Sequence, residues 1–249
     1  MEIFTKRPGE PQSALAEAAG LSWLGEASDA VARVVSADET HISTVRVETT
    51  RPTPEAARIA GRELARIHLA GAPAFGSPPP GWKGPNYIGT QRQDCSPTDR
   101  WADFYVEQRV LPFAENAYRR AHLSPDGLRT VQAACAVIRQ QDVEVTPARL
   151  HGDLWSGNLL FGMQGPVMID PAAHGGHPET DLAMLALFGA PHLDQIRAGY
   201  EEINPLGDGW LARTPVHQLH PLAVHVSSHG PGYAAPLIQA AEATLELWG

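Results

Sequence analysis

Residues 151–161, HGDLWSGNLLF, followed by residues 167–177, VMIDPAAHGGH, decide how the rest of this 249-residue chain is read. HGDLWSGN holds too many glycines and polar residues for a regular helix. NLLF and PVMID are short apolar runs suited to strands, and GMQG between them reverses the chain. The expected hairpin delivers Asp153, Asn158 and Asp170 to one end of the fold. Asn158 stands five residues after Asp153, and Asp170 seventeen after it. Phosphoryl transfer of the protein-kinase type asks for a carboxylate that orients or deprotonates the attacking hydroxyl. It also asks for an amide oxygen on one magnesium ion and a second carboxylate on the magnesium that bridges the phosphates. Asp153, Asn158 and Asp170 can fill those roles, and magnesium favours such oxygen ligands.

Upstream, MEIFTKR reads as a very short strand. Ser13 then caps a helix with Leu15, Ala18, Ala19 and Leu24 on its apolar side. On that helix Glu17 points back toward Lys6, and the pair makes a phosphate clamp. HISTVRVETT is a strand rich in β-branched residues. TPEAARIAGRELARIH is a helix capped by Thr53, with Pro54 at its first position and Ala60, Leu64 and Ile67 along its apolar line. The proline- and glycine-rich residues 71–89 form a long connection that carries part of a binding loop. Ser96 with Asp99 opens a helix bearing Trp101, Phe104, Tyr105 and Gln108, whose plain reading is helix packing. A second helix begins near Asp126 and buries Cys135. The last helix holds Leu237, Ile238, Ala241, Leu245 and Leu247.

Acidic residues outnumber basic ones, 28 to 19, for a formal charge of −9, and Lys6 and Lys83 are the only lysines. No basic run tracks a phosphate backbone, so nucleic acid is excluded as the main partner. Cys95 and Cys135 form no metal motif or disulfide framework. No stretch approaches the roughly 20 apolar residues of a membrane span. The expected protein is cytoplasmic, acts on a small molecule, and has no oligomeric state fixed by its sequence.

At these residues the chain closely resembles the fructosamine kinase (ketosamine-3-kinase) family, within the aminoglycoside-phosphotransferase and protein-kinase-like fold. The resemblance rests on HGDLWSGNLLF, on VMIDPAAHGGHPETDLAMLALFG, and on weaker echoes in GWKGPNYIGTQRQ, the Trp101 helix and RTPVHQLHPLAVH. It implies an α+β, two-lobed fold: a shortened N-terminal nucleotide-binding lobe over residues 1–70 and a mostly helical catalytic and substrate-binding lobe over 71–249. It implies ATP and Mg2+ as cofactors and a glycated amine as substrate, phosphorylated on the sugar C3 hydroxyl. By that resemblance Asp153 is the base, Asn158 and Asp170 hold the metal, and Lys6 contacts phosphate while paired to Glu17. The segment around Glu48 is similar to the hinge that receives adenine through its backbone, and Trp155 shapes the sugar site. His151 supports the catalytic loop, and Asp181 anchors it or caps the helix that follows.

Two features depart from the family pattern. Only MEIFT precedes Lys6, where relatives place a nucleotide-binding hairpin, so phosphates less covered from water and ATP hydrolysis without acceptor are expected. Asp94 stands where many relatives have asparagine, which alters substrate contacts. Three other readings compete: a nucleotide- or sugar-binding pseudokinase, a kinase of another small alcohol such as an aminoglycoside, and a two-metal phosphoesterase using His151, Asp153, Asp170, His174 and His177. Arg213, His217 and His220 read equally as anion contacts and as structural residues, and are assigned no site.

Overall fold

The structure, a computed structural model, describes residues 2–141 and 143–249; Met1, at the head of the expected first strand, lies outside them. Three antiparallel strands, β1 (Ile3–Lys6), β2 (Val34–Ala37) and β3 (Ile42–Val45), form a sheet of order β1-β3-β2. Ile3 faces Val45 and Lys6 faces Ile42, so the register places Lys6 at one end of the edge strand. Helix α1 (Ser13–Gly25) packs on β2 and β3.

Two expected caps differ from what is found. Ser13 is the first helical residue of α1, and Gln12, with φ of 60°, precedes it as a cap without a side-chain hydrogen bond. The buried side of α1 is Ala14, Glu17, Leu21 and Leu24, one position away from the expected apolar line. The helix begins one residue earlier than a Ser13 cap would give, and the face that packs on the sheet carries Glu17 inward. Ser96 and Asp99 cap nothing either. Helix α3 (Trp101–Phe104) starts at Trp101, and a π-helical turn over Tyr105–Val110 joins it to α4 (Leu111–Arg119). Pro112 has no N–H to offer the carbonyl of Gln108, which accepts Arg109 Nη1 at 3.0 Å instead.

Thr53 caps α2 (Pro54–Leu69) as its sequence implies, accepting from Ala56 N at 3.2 Å, and Ala60, Leu64 and Ile67 are buried. At the end of the long connection, β4 (Asn86–Ile88) pairs with β5 (Gln91–Gln93), just beyond it, in a small hairpin that sequence reading passed over. Ser124 caps α5 (Pro125–Gln140), on which Cys135 is buried. Strand β6 (Ala148–Leu150) leads into the 151–158 loop. β7 (Leu159–Gly162) and β8 (Gly165–Met168) then form the expected hairpin, with Leu159 opposite Met168. A strand not anticipated, β9 (His174–Gly176), returns to pair with β6. Four helices complete the described residues: α6 (Glu179–Leu187), α7 (Leu193–Glu201), α8 (Thr214–His229) and α9 (Ala234–Trp248).

Two apolar clusters hold the fold. One gathers α3, α4, α5, α8 and α9 around Tyr105, Val131, Leu219 and Leu237. The other joins α1, the sheet and α2 to the β7–β8 hairpin, α6 and α7, so it continues across residue 70. α2 and α7 cross at glycines: a Cβ at Gly61 would meet Ile196 O at 1.9 Å, and one at Gly199 would meet Arg58 O at 1.9 Å. Gly61→Ala is therefore expected to force the helices apart and cost about 1–3 kcal/mol or more, read as a lowered urea midpoint. An unchanged midpoint would show that the crossing relaxes freely.

Candidate active site

The loop between β6 and β7 is held from below by one buried carboxylate. Asp181, in the first turn of α6, accepts His151 N at 2.8 Å and Gly152 N at 2.9 Å, and meets His68 Nε2 at 3.1 Å. Pro178 occupies the N-cap position of α6, so Asp181 anchors the loop and is not the cap. Burial works to raise its pKa, and His68, His151 and Gly152 more than offset that, leaving it below the usual carboxylate value. Gly152 has φ of +80°, and a Cβ there would lie 2.4 Å from Ala172 O, so the loop admits only glycine at that position.

His151 staples the loop to the strand exit. Its Nε2 donates to Ile169 O at 2.8 Å, which leaves Nδ1 to accept Asp153 N at 3.3 Å. One imidazole thus fixes Asp153 relative to the residue before Asp170. Asn158 Nδ2 donates to Asp153 O at 2.8 Å and lies 3.4 Å from Asp153 Oδ2. The amide is thereby turned with Oδ1 as its free acceptor. Asp170 adopts φ of 54°, a left-handed conformation that is uncommon outside glycine and that Asp tolerates better than most.

Lys6 closes the group. Its Nζ lies 2.8 Å from Glu17 Oε2 and 2.7 Å from Asp170 Oδ1. Burial opposes the charge on Lys6, but the two carboxylates outweigh it and hold its pKa above the ordinary value. Burial pushes the Glu17 carboxyl up to about 7 against the pull of Lys6. Burial, reinforced by Asp170 and Asp181, pushes Asp153 up to about 8.

Two cavities meet at this group. One, of about 260 Å³, is lined by Lys6, Glu17, Asn86, Asp153, Trp155, Asn158 and Asp170. The other, about 170 Å³ and mostly apolar, lies among Phe4, Leu21, Ala32, Val45, Val47 and Leu160, and shares Glu17 and Asp170 with the first. Glu48 is exposed and lines a neighbouring cavity beyond that slot; the slot's own edge is Thr44–Val47. Trp155 is 43% exposed and lies over Gly157, where any Cβ would strike its ring.

The matching family model is that of fructosamine kinase, over residues 12–246. The chain belongs to the fructosamine kinase family. A relative from Enterococcus faecium named "probable ketoamine kinase" is 35% identical over 184 residues, which is 72% of this chain. The chain spans 64% of that relative's length. A crystal structure from Thermobifida fusca, assigned as a fructosamine-3-kinase, is 44% identical with a TM-score of 0.92, covering 98% of this chain and 85% of that one. The choline kinase LicA of Streptococcus pneumoniae, 15% identical with a TM-score of 0.62 over 98% of this chain and 86% of its own, shares the fold. The α+β, protein-kinase-like class expected from sequence is therefore the fold of this family member.

Sequence reading missed His68 in this family member. It is buried on α2, bridging Asp181 to Tyr200, whose hydroxyl lies 2.8 Å from His68 Nδ1. The signal was present, because His68 falls on the same helical face as Leu64 and Gly61, where an imidazole needs partners. Asn86, also missed, donates to Ala173 O at 3.1 Å and accepts Gln93 Nε2 at 2.8 Å beside the site. Asp94 turns its carbonyl to Arg109 Nη1 at 2.6 Å. The five residues of a phosphoesterase reading do not assemble as a metal group among the described residues. In particular, His174 is engaged by Ala172 O and Arg109 Nε. Nor is any helix among the described residues long and apolar enough to cross a membrane.

Proposed function

We propose that the chain transfers the γ-phosphoryl group of ATP to the C3 hydroxyl of a ketosamine, with residues 1–70 supplying the nucleotide side and 71–249 the acceptor side. The observation that carries this reading is the junction of the two cavities. An apolar slot sized for a base opens onto an ammonium and two carboxylates, and the polar cavity beyond them ends at Asp153 and Trp155. A nucleotide laid along that path puts its base among Leu21, Ala32, Val45 and Leu160, near the backbone of residues 44–48, and its phosphates by Lys6. The family relationship supports a glycated amine as acceptor, and the proposed setting is deglycation in the cytoplasm.

The donor set fits magnesium. Asp170 offers a carboxylate and Asn158 a free amide oxygen, both hard oxygen ligands that leave positions for phosphates and water. When bound, the metal supplies charge neutralisation at the transferred group. The side chains do the rest. Asp153, on a loop fixed by His151 and Asp181, takes the proton of the acceptor hydroxyl as it attacks. Lys6, oriented by Glu17, offers its ammonium to the phosphates, and Trp155 presents an apolar face to the sugar. Glu17 positions Lys6 and touches no reacting atom in this scheme.

The test is mass-resolved phosphorylation of a fructosyl-amino acid with magnesium ATP, with phosphate position read by NMR. Product carrying phosphate on C3 is expected. Phosphate on an aminoglycoside or choline instead would replace the acceptor, and nucleotide binding without transfer to any of them would make the chain a binding module. Asp170→Ala is expected to weaken magnesium-nucleotide binding at least about tenfold, about 1.4 kcal/mol, by calorimetry. Equal affinity in variant and parent would remove Asp170 from the metal.

A further inference from the structure

Behind the catalytic loop a second set of titratable side chains converges where β9 turns into α6. One ligand atom each from His177, Glu179 and His217 lie within 4.8 Å of one another, and the three residues are 5%, 5% and 0% exposed. His177 precedes α6, Glu179 opens it, and His217 comes across from α8. Arg213, one turn before His217, grips the carboxylate through Nη2 at 2.5 Å and Nε at 3.0 Å, which fixes the orientation of Glu179.

The group is incomplete as it stands. His217 Nδ1 meets Thr180 Oγ1 at 3.1 Å, but its Nε2 is buried without a hydrogen-bond partner, 3.3 Å from Glu179 Oε2. Trp101, whose ring contacts both histidines, also has a buried, partnerless Nε1. Buried polar atoms without partners are rare and mark a missing water, proton or ion. The His217 nitrogen and the Glu179 oxygen face each other at 3.3 Å outside hydrogen-bond geometry, a pair that either a proton on Nε2 or a cation between the two atoms can satisfy. Access exists, since a cavity of about 710 Å³ reaches His177, Glu179 and Arg213, and Glu144 and Asp208 add acidic groups to its lining.

We propose that His177, Glu179 and His217 form a binding site for a late first-row divalent metal ion, with Zn2+ as the type, its fourth position opening to this cavity. Two imidazoles and one carboxylate make a donor set for zinc, cobalt or copper, and a poor one for magnesium, which keeps to oxygen. Around a tetrahedral ion with bonds of about 2.0–2.1 Å the ligand atoms stand roughly 3.3 Å apart, so the side chains close inward by about an ångström. Arg213 fills the outer role that ligating carboxylates usually require, binding Oε1 through Nη2 and bridging both oxygens through Nε. The ion ties α8 to the start of α6, two residues before Asp181, and therefore braces the helix that anchors the 151–153 loop.

The test uses the full chain stripped with EDTA and titrated with Zn2+ by calorimetry, and with Co2+ followed in the visible. One equivalent of Zn2+ is expected, with Co2+ giving the strong d–d bands of a four-coordinate nitrogen and oxygen site and Zn2+ bleaching them. His177→Ala and His217→Ala should each weaken Zn2+ by more than about 100-fold, beyond the cost of losing an outer partner. Asp170→Ala, altered at the other site, should leave it unchanged. No binding by the parent chain overturns the proposal and makes a proton the bridging charge. Binding that survives both histidine variants, or that disappears in Asp170→Ala, overturns it as well. If His217→Ala does not fold, His177→Gln on the cavity side decides, and full affinity in that variant counts against the site.

Discussion

Asp153→Asn is expected to lower phosphoryl transfer about 10²–10⁴-fold, the range over which a positioned general base contributes, while magnesium-nucleotide affinity stays within about twofold of the parent. The substitution keeps size and leaves Lys6, Asn158 and Asp170 in place, so what is lost is proton acceptance at one oxygen. The loop geometry supports this separation. Asp153 uses its backbone N–H on His151 and its backbone carbonyl on Asn158, and neither bond requires a carboxylate. The measurement is a single-turnover rate with the acceptor saturating, so that product release does not mask the chemical step. A single-turnover rate equal to that of the parent would remove Asp153 from proton transfer and leave it an orienting role at most. Loss of nucleotide binding in the same variant would instead place Asp153 on the metal.

Which parts of this protein were legible from sequence follows from the range of the forces involved. The β7–β8 hairpin, the Thr53 helix start and the helix beginning near Asp126 are local: a turn between apolar runs, or a cap ahead of an apolar helical pattern, acts over a few residues. Asp153, Asn158 and Asp170 were legible because their spacing is carried by that hairpin. Glu17 facing Lys6 also follows from a short connection. By contrast β6–β9 pairs residues more than twenty apart, and its strands are three residues each, so no local pattern marks them. The misplaced start of α1 shows the other limit. Gln12 in a left-handed conformation starts the helix one residue earlier than a Ser13 cap would, and the buried face is set by packing on the sheet, which takes Glu17 and Leu21 where the apolar pattern pointed to Ala18 and Ala19. His68 and the His177–Glu179–His217 group were hidden because each joins elements far apart in the chain, and a histidine alone carries no sign of its partner.

Asp181→Ala should have the largest effect on stability, because this one carboxylate satisfies three donors in a place closed to water. Asp181 and His68 are 1% and 3% exposed, and among the described residues the amides of His151 and Gly152 find their acceptor in Asp181. Removing one partner of a buried charged network costs about 3–5 kcal/mol, with buried amides left unsatisfied as part of that cost. Against a typical total of about 5–15 kcal/mol this is enough to shift the urea midpoint severely and to free the 151–153 loop. Asp181→Asn should cost less, since one amide oxygen still accepts a backbone N–H, but its NH₂ then faces the donors that remain. The pH dependence has a definite sign. The folded pKa of Asp181 lies below the unfolded one, so its contribution is whole above the usual carboxylate range and is lost as pH falls toward the folded value. The parent should therefore lose stability in acid more steeply than Asp181→Asn does. Urea midpoints measured for both chains from neutral pH down to about pH 2, through the range in which a carboxylate of lowered folded pKa takes up its proton, test this, and parallel curves with equal midpoints would show that the loop is held by something other than Asp181.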